Sequence, residues 1–358
     1  MKTQSGNMGV ILASALLALS SLLMLSAPPV SAQEKQLVSV KTETAPAMDG
    51  KMDESWAKAP PFAFELNQTP YQSTTYKGMG ATKVTMRSLY DAENVYFLVQ
   101  WTDPTESLSR MAWVKQGDGS WKREANPDST GHENTYFEDK LAMFWNVNTT
   151  DFQQRGCTVV CHKARGGKNA GVADTSPGRK FTNKPGETLD LWNWQAVSSN
   201  AVSQAEDQYV DDNKDPAKNP DWGRKTDTGA GGFVDNVNAA KNGPAFMSKD
   251  PAAAGKPWIL DSDKAEFADT FKPGDKVAGV VVAPFTGSAG DIAAVGHWEK
   301  GMWTLEMKRK LVTQGENVAA QYVQFNDLKK TYFFGLSVFD NTEISHLYHE
   351  GVHRMTFK

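Results

Sequence analysis

Apolar and polar positions alternate over short runs along most of this chain, and that pattern predicts strands far more readily than helices. Val84 to Tyr90 alternates, Asp91-Ala92-Glu93-Asn94 supplies turn residues, and Val95-Tyr96-Phe97-Leu98-Val99-Gln100-Trp101 is a β-branched and aromatic run. Together they predict a hairpin, because strand side chains alternate between faces and Asp and Asn favour the connecting turn. Similar runs occur at Lys140 to Trp145, Lys276 to Val282, Trp303 to Lys308, Tyr332 to Phe339 and His353 to Phe357, separated by Gly, Asp, Asn and Pro. No long 3.6-residue periodicity appears outside the N-terminal segment, so the expected fold is mainly β, an antiparallel sandwich. Residues 163–188, rich in Gly, Lys and Thr, and the polar stretch 205–270 interrupt the pattern. Loops this long in a compact domain are usually functional or disordered.

The N-terminus sets an expected address. Residues 1–32 carry one early charge, Lys2, an apolar run from Val10 to Leu25, and the small-residue ending Val30-Ser31-Ala32, the pattern of a cleaved signal peptide. The run is shorter than the roughly 18 to 20 apolar residues of a membrane span. An exported, periplasmic chain is therefore expected, with no membrane span after cleavage and a single domain over residues 33–358 carrying a long insertion around 205–270. Loss of Lys2 would take the formal net charge from -4 to -5. Nothing in a mildly acidic chain suggests nucleic acid, which would favour a basic face. The chain has only two cysteines, whereas a disulfide framework in an oxidising compartment would use several, so the pair reads as a site.

That site is Cys157-Thr158-Val159-Val160-Cys161-His162. Two thiols followed at once by a histidine are what covalent haem attachment needs: each thiol adds across a vinyl group, and the histidine ligates the iron. The usual signature, Cys-x-x-Cys-His, has one residue fewer between the cysteines. Three other readings compete: a metal half-site, a short-loop disulfide, and a haem held here without thioether bonds. A disulfide between residues four apart closes a small ring with difficult geometry and little entropic gain. Structural zinc wants four ligands, and there is no second Cys pair. Covalent, c-type haem is therefore favoured, with His162 as the proximal ligand, b-type haem as the alternative, and residues 163–188 folding over the cofactor. No Gly-x-Ser-x-Gly elbow, His-Glu-x-x-His helix, phosphate loop or dinucleotide fingerprint is present, so a catalytic role has no support in the sequence.

A series of segments carries a family resemblance. Met48-Asp49-Gly50-Lys51-Met52-Asp53-Glu54-Ser55-Trp56 and the hairpin ending Trp101-Thr102-Asp103 open it. Phe137-Glu138-Asp139-Lys140-Leu141-Ala142, Gly156 to His162 and Asp190-Leu191-Trp192-Asn193-Trp194-Gln195-Ala196 follow. Gly301-Met302-Trp303 with Arg309 and Leu311, and Phe334-Gly335-Leu336-Ser337-Val338-Phe339-Asp340-Asn341, complete it. In this order they resemble the cytochrome c-552/DMSO-reductase-type haem-binding domain, the group that includes the haem subunit of ethylbenzene dehydrogenase. The opening and hairpin alone also resemble carbohydrate-binding modules, so an exported module of that kind is a further reading.

The resemblance implies a β-sandwich that holds one haem near one end and passes electrons without substrate chemistry of its own. In the dehydrogenase subunits the haem is b-type, held by a Met and a Lys; Cys157, Cys161 and His162 depart from that pattern toward the cytochrome-like branch. The implied partner is a redox protein, a molybdenum oxidoreductase or a quinol-linked cytochrome. For the distal ligand, His346 is favoured within Ser345-His346-Leu347-Tyr348-His349-Glu350-Gly351-Val352-His353, with Met111 the main rival and Met247 a weaker one. His349 and His353 read as structural. Trp192 and Trp194, two apart on one strand face, pack either on the porphyrin or in the core. Lys163, Arg165 and Lys168 are candidates to pair with haem propionates.

Overall fold

The computed structural model describes residues 36–69, 77–125, 135–160, 168–169, 172–173, 180–250, 253, 255–315 and 317–358. In chain order the strands along the main path of its thirteen-stranded sheet are β1 (Leu37–Lys41), β2 (Phe62–Leu66), β3 (Thr82–Tyr90), β4 (Asn94–Thr102), β5 (Lys140–Asn146), β6 (Leu189–Gln195), β7 (Gln204–Val210), β8 (Ile292–Glu299), β9 (Met302–Lys310), β10 (Tyr332–Phe339) and β11 (His353–Phe357), with Arg224–Thr226 and Leu347–Tyr348 pairing at the side of β7 and β10. They are ordered β1-β11-β10-β5-β6-β7-β8-β9-β4-β3-β2, and β1 also pairs with β3, closing ten strands into a flattened, barrel-like sandwich. Strand β1 runs parallel to both neighbours, and the other pairs along this path are antiparallel. The expected hairpin forms, with Tyr90 opposite Val95 and Val84 opposite Trp101. Gln33–Lys358 clusters as one unit, and the expected signal segment lies outside the described residues. Among the described residues no helix is long and apolar enough to cross a membrane.

Two expected elements differ. The run Lys276 to Val282 is two strands: Lys276–Val277 pairs with Trp113–Lys115, and Val280–Ala283 pairs with Gly232–Asp235 and Ile259–Leu260. The break falls at Gly279, where the chain passes so close to the carbonyls of Arg110 and Met111 that a side chain would collide with them. The polar stretch expected from residue 205 begins only after Val210, because β7 belongs to the main sheet. Its polar side chains are satisfied by partners distant in sequence: Thr226 donates to Glu206 at 2.7 Å, and Arg224 Nε donates to Gln208 at 2.8 Å.

Inward positions of the strands build an aromatic core. Trp101, Trp194 and Trp303 meet with ring centroids 5.0–6.0 Å apart, and Trp145 contacts Phe97, Trp192, Phe325 and Phe334 at 5.0–5.6 Å. Such pairs contribute roughly 0.5–1.5 kcal/mol each beyond area burial. The sequence opening is pinned to this body by Glu306, whose carboxylate accepts the N–H groups of Asp49 and Gly50 and the Trp56 indole N–H, each at 2.8 Å. At one end of the core the fully buried Arg309 guanidinium lies 3.5 Å from Asp190, 3.6 Å from Asp207 and 3.8 Å from Asp291. It also donates to the Val323 carbonyl and lies over the Trp192 ring.

Candidate functional site

Strands β5, β6 and β10 present two different faces. Leu141, Met143, Trp145, Trp192, Trp194, Phe334, Leu336 and Val338 point into the aromatic core. Alternation sends Ala142, Phe144, Leu191, Asn193, Gly335, Ser337 and Phe339 to the opposite face, where the candidate chemistry lies. Cys157, 5% exposed, packs there in a cluster with Phe144, Phe152, Val159, Val160, Leu189, Leu191, Val210 and Tyr348. Gly335 lets it approach the sheet, since a Cβ added there would lie 3.3 Å from the Cys157 Cβ.

Gly156 delivers the segment. Its φ of 59° and ψ of -148° suit glycine alone, and it bridges to Gly351 so closely that any side chain would run into the Gly351 carbonyl. Gly156→Ala is therefore expected to destabilise the protein by at least about 2 kcal/mol through strain and collision and to displace Cys157. Chemical denaturation of the variant beside the parent checks this; an unchanged midpoint would contradict it.

Four residues along β10 from Gly335, roughly 13 Å at strand rise, Phe339 packs against His346 with ring centroids 4.6 Å apart and the rings tilted by 36°. His346 is buried and lines a cavity of about 200 Å³. Phe144 and Leu191, both in the Cys157 cluster, lie on its floor with Phe339, while Arg110, Lys140, Lys180 and Arg224 supply cations. A neighbouring cavity of about 410 Å³ shares Glu206, Arg224 and Phe233 with it.

The polar groups of the cavity are held firmly. His346 Nδ1 lies 2.7 Å from the Ile344 carbonyl, so Nδ1–H donates and Nε2 is left as the lone-pair nitrogen. Burial pushes its pKa down to about 3, keeping the ring neutral. Lys140 Nζ donates to the Glu343 carbonyl at 2.6 Å and lies over the rings of Phe339 and Phe137. Burial, with the Arg110 charge nearby, lowers its pKa to about 7. Arg110 donates to Glu138 at 2.7 Å, and Glu138 is fixed in turn by the backbone N–H groups of Val197 and Ser198.

Of the residues expected from sequence, the fold brings Cys157 and His346 to one sheet face. Trp192 and Trp194 stay in the core on the other face, packed on Phe97, Trp145, Trp101 and Trp303, and their indoles do not line the cavity. Met111 is half-buried with a left-handed φ of 49° and is absent from the lining, although its neighbour Arg110 is there. Met247 sits on a short strand where its sulfur accepts the Ala268 N–H. Cys161, His162, Lys163 and Arg165 lie outside the described residues, as does the Lys168 side chain. His349 and His353 stack at 3.5 Å between centroids, and neither Nε2 has a hydrogen-bond partner. Sequence reading missed Lys140 and Arg110, because a cation at the start of a β-run or in a polar connection looks solvent-facing until the fold covers it.

The cavity thus combines an apolar floor, the cations of Arg110, Lys140, Lys180 and Arg224, the carboxylates of Glu206 and Glu343 and a neutral imidazole, while Cys157 lies outside the lining, in the cluster that shares Phe144 and Leu191 with it. A family model described as Ethylbenzene dehydrogenase matches residues 53–351. Among solved structures, the chain is similar to a family 9 carbohydrate-binding module from Caldicellulosiruptor kristjanssonii in complex with glucose, at 8% identity over 90% of this chain and 95% of that one, with a TM-score of 0.32. A putative carbohydrate-binding protein from Bacteroides uniformis is similar at 8% identity over 90% of this chain and 99% of that one, with the same TM-score. No curated protein matches.

Proposed function

The chain belongs to the ethylbenzene dehydrogenase family, and from that membership we propose that it carries one haem, bound covalently through Cys157 and Cys161, as an exported electron-transfer protein of the periplasm. The observation that carries this reading is the placement of buried Cys157 and buried His346 on one sheet face, joined by the shared apolar floor of Phe144 and Leu191. Bound haem supplies the one-electron couple, and the chain's residues fix its position and surroundings. Cys157 and Cys161 anchor it, His162 is the proximal ligand, and His346 offers Nε2 as the distal one. The hydrogen bond to Ile344 holds that imidazole in the ligating tautomer. Arg110 and Lys180 provide charge for the propionates. The electron partner is a redox protein, a molybdenum oxidoreductase or a quinol-linked cytochrome.

One observation favours a second reading. Lys140 places an amine in the same cavity, and the family resemblance implies a Met and Lys pair on non-covalent, b-type haem. An exported carbohydrate-binding module has less support, since none of the eleven Trp is exposed.

The alkaline pyridine spectrum of the purified exported chain tests the proposal. A c-type band is the expected result, a b-type band favours Lys140, and a colourless preparation from a haem-replete host contradicts both. His346→Ala is expected to keep the haem attached and convert its visible spectrum from low-spin to high-spin. His349→Ala and His353→Ala are expected to leave the spin state unchanged; a spin change in either one instead would move the distal ligand there.

A further inference from the structure

At the end of the aromatic core opposite Arg309 lie three buried carboxylates, Asp103 just after β4, Asp139 just before β5, and Asp340 just after β10. One oxygen from each lies within 4.8 Å of the other two. Their hydrogen bonds all come from neutral donors. Asp103 Oδ1 accepts from the Thr105 N–H at 3.1 Å, and Asp340 Oδ2 from the Met79 N–H at 2.8 Å. Asp139 accepts from the Ser107 N–H at 2.7 Å, the Asn341 N–H at 2.9 Å and the Trp303 indole at 3.1 Å. Among the described residues none of the three is paired with Lys or Arg.

Clustering alone is common among acidic residues; a second observation points to a ligand. Asp103 is fully buried, yet its Oδ2 has no hydrogen-bond partner. A buried carboxylate oxygen normally finds a donor or a cation, because leaving it unmade costs free energy. We propose that Asp103, Asp139 and Asp340 bind a calcium ion. An all-oxygen, carboxylate-rich set suits a hard cation, and calcium tolerates the irregular geometry of ligands from three separate segments better than magnesium does. The site is distinct from the haem cavity, and its test does not depend on haem.

The ion's position gives it a role. Asn341, in a left-handed conformation, donates its N–H to Asp139 and accepts the Phe137 N–H on its side chain at 2.8 Å. Calcium would tie three strand ends together and fasten the start of the segment that leads to His346.

The exported full chain, stripped with EGTA, is titrated with calcium chloride in a calorimeter, and its thermal midpoint is measured with and without calcium. We expect one calcium per chain and a midpoint raised by about 4 °C at free calcium one hundred times the dissociation constant. Asp103→Asn and Asp340→Asn should each weaken binding at least tenfold and remove the rise in midpoint while keeping the parent's far-ultraviolet circular dichroism. Should a variant fail to fold, the calcium response of the parent chain still decides. No binding heat with equal midpoints would overturn the proposal, as would undiminished binding in both variants, which would place calcium elsewhere on the acidic surface.

Discussion

Replacing Cys157 and Cys161 together by serine is expected to abolish covalently attached haem while leaving a folded chain. Thioether bonds need sulfur at both positions, and a hydroxyl does not substitute in the addition to a vinyl group. Single variants should keep one thioether and a weakened stain, because either sulfur alone still tethers the ring. The folding cost at Cys157 is modest: a buried hydroxyl in place of a thiol costs about 1–3 kcal/mol where no partner is available, and the cluster around it contains Phe144, Phe152 and Leu191, which do not depend on the sulfur. The check is a haem stain after denaturing electrophoresis beside circular dichroism of the same samples. A double variant that still stains would show that the haem is bound through other residues.

Arg309→Leu is expected to destabilise the protein by about 3–5 kcal/mol, since it removes the cation from a buried cluster and leaves carboxylates without compensation. Asp190, Asp207, Asp227 and Asp291 surround that guanidinium, and Asp207 is fully buried with no hydrogen bond to either oxygen. Burial already raises these acids, Asp190 to about 6 and Asp227 to about 8, and the Arg309 charge is among the influences holding them down. Without Arg309 their folded-state values rise further. A carboxyl whose pKa is higher in the folded than in the unfolded chain adds stability that is complete below the unfolded value, near 4, and is lost as pH climbs through the folded value. The deficit of Arg309→Leu relative to the parent should therefore widen between pH 5 and pH 8. Denaturant titrations of both proteins at those two pH values measure it, and a deficit that is constant or larger at pH 5 would contradict the account.

Elements with apolar faces were the legible ones. The β3–β4 hairpin and β10 could be placed because their alternating or continuous apolar runs correspond to buried faces. Strand β7 was hidden because Glu206, Asp207 and Gln208 look like loop residues, and only Arg224, Thr226 and Arg309 make their burial acceptable. The run through Gly279 looked continuous because sequence does not show a backbone passing close by. At the site, the spacing of Cys157, Cys161 and His162 is a motif read from sequence alone, and of the three only Cys157 lies among the described residues. The cavity's cations did not: Lys140 gains its place through the rings of Phe137 and Phe339 and the Glu343 carbonyl, contacts assembled from separate strands and loops. Trp192 and Trp194 illustrate the converse, since shared spacing identified a common face but not which side of the sheet that face served.

The intact mass of the chain, exported by a host that supplies cytochrome c maturation, tests the central claim most directly. The account predicts the mass of the chain after cleavage at Ala32 plus one haem, retained under denaturing conditions and localised by peptide mapping to the fragment containing Cys157 and Cys161. A chain mass without haem from a haem-replete, maturation-competent host would contradict it.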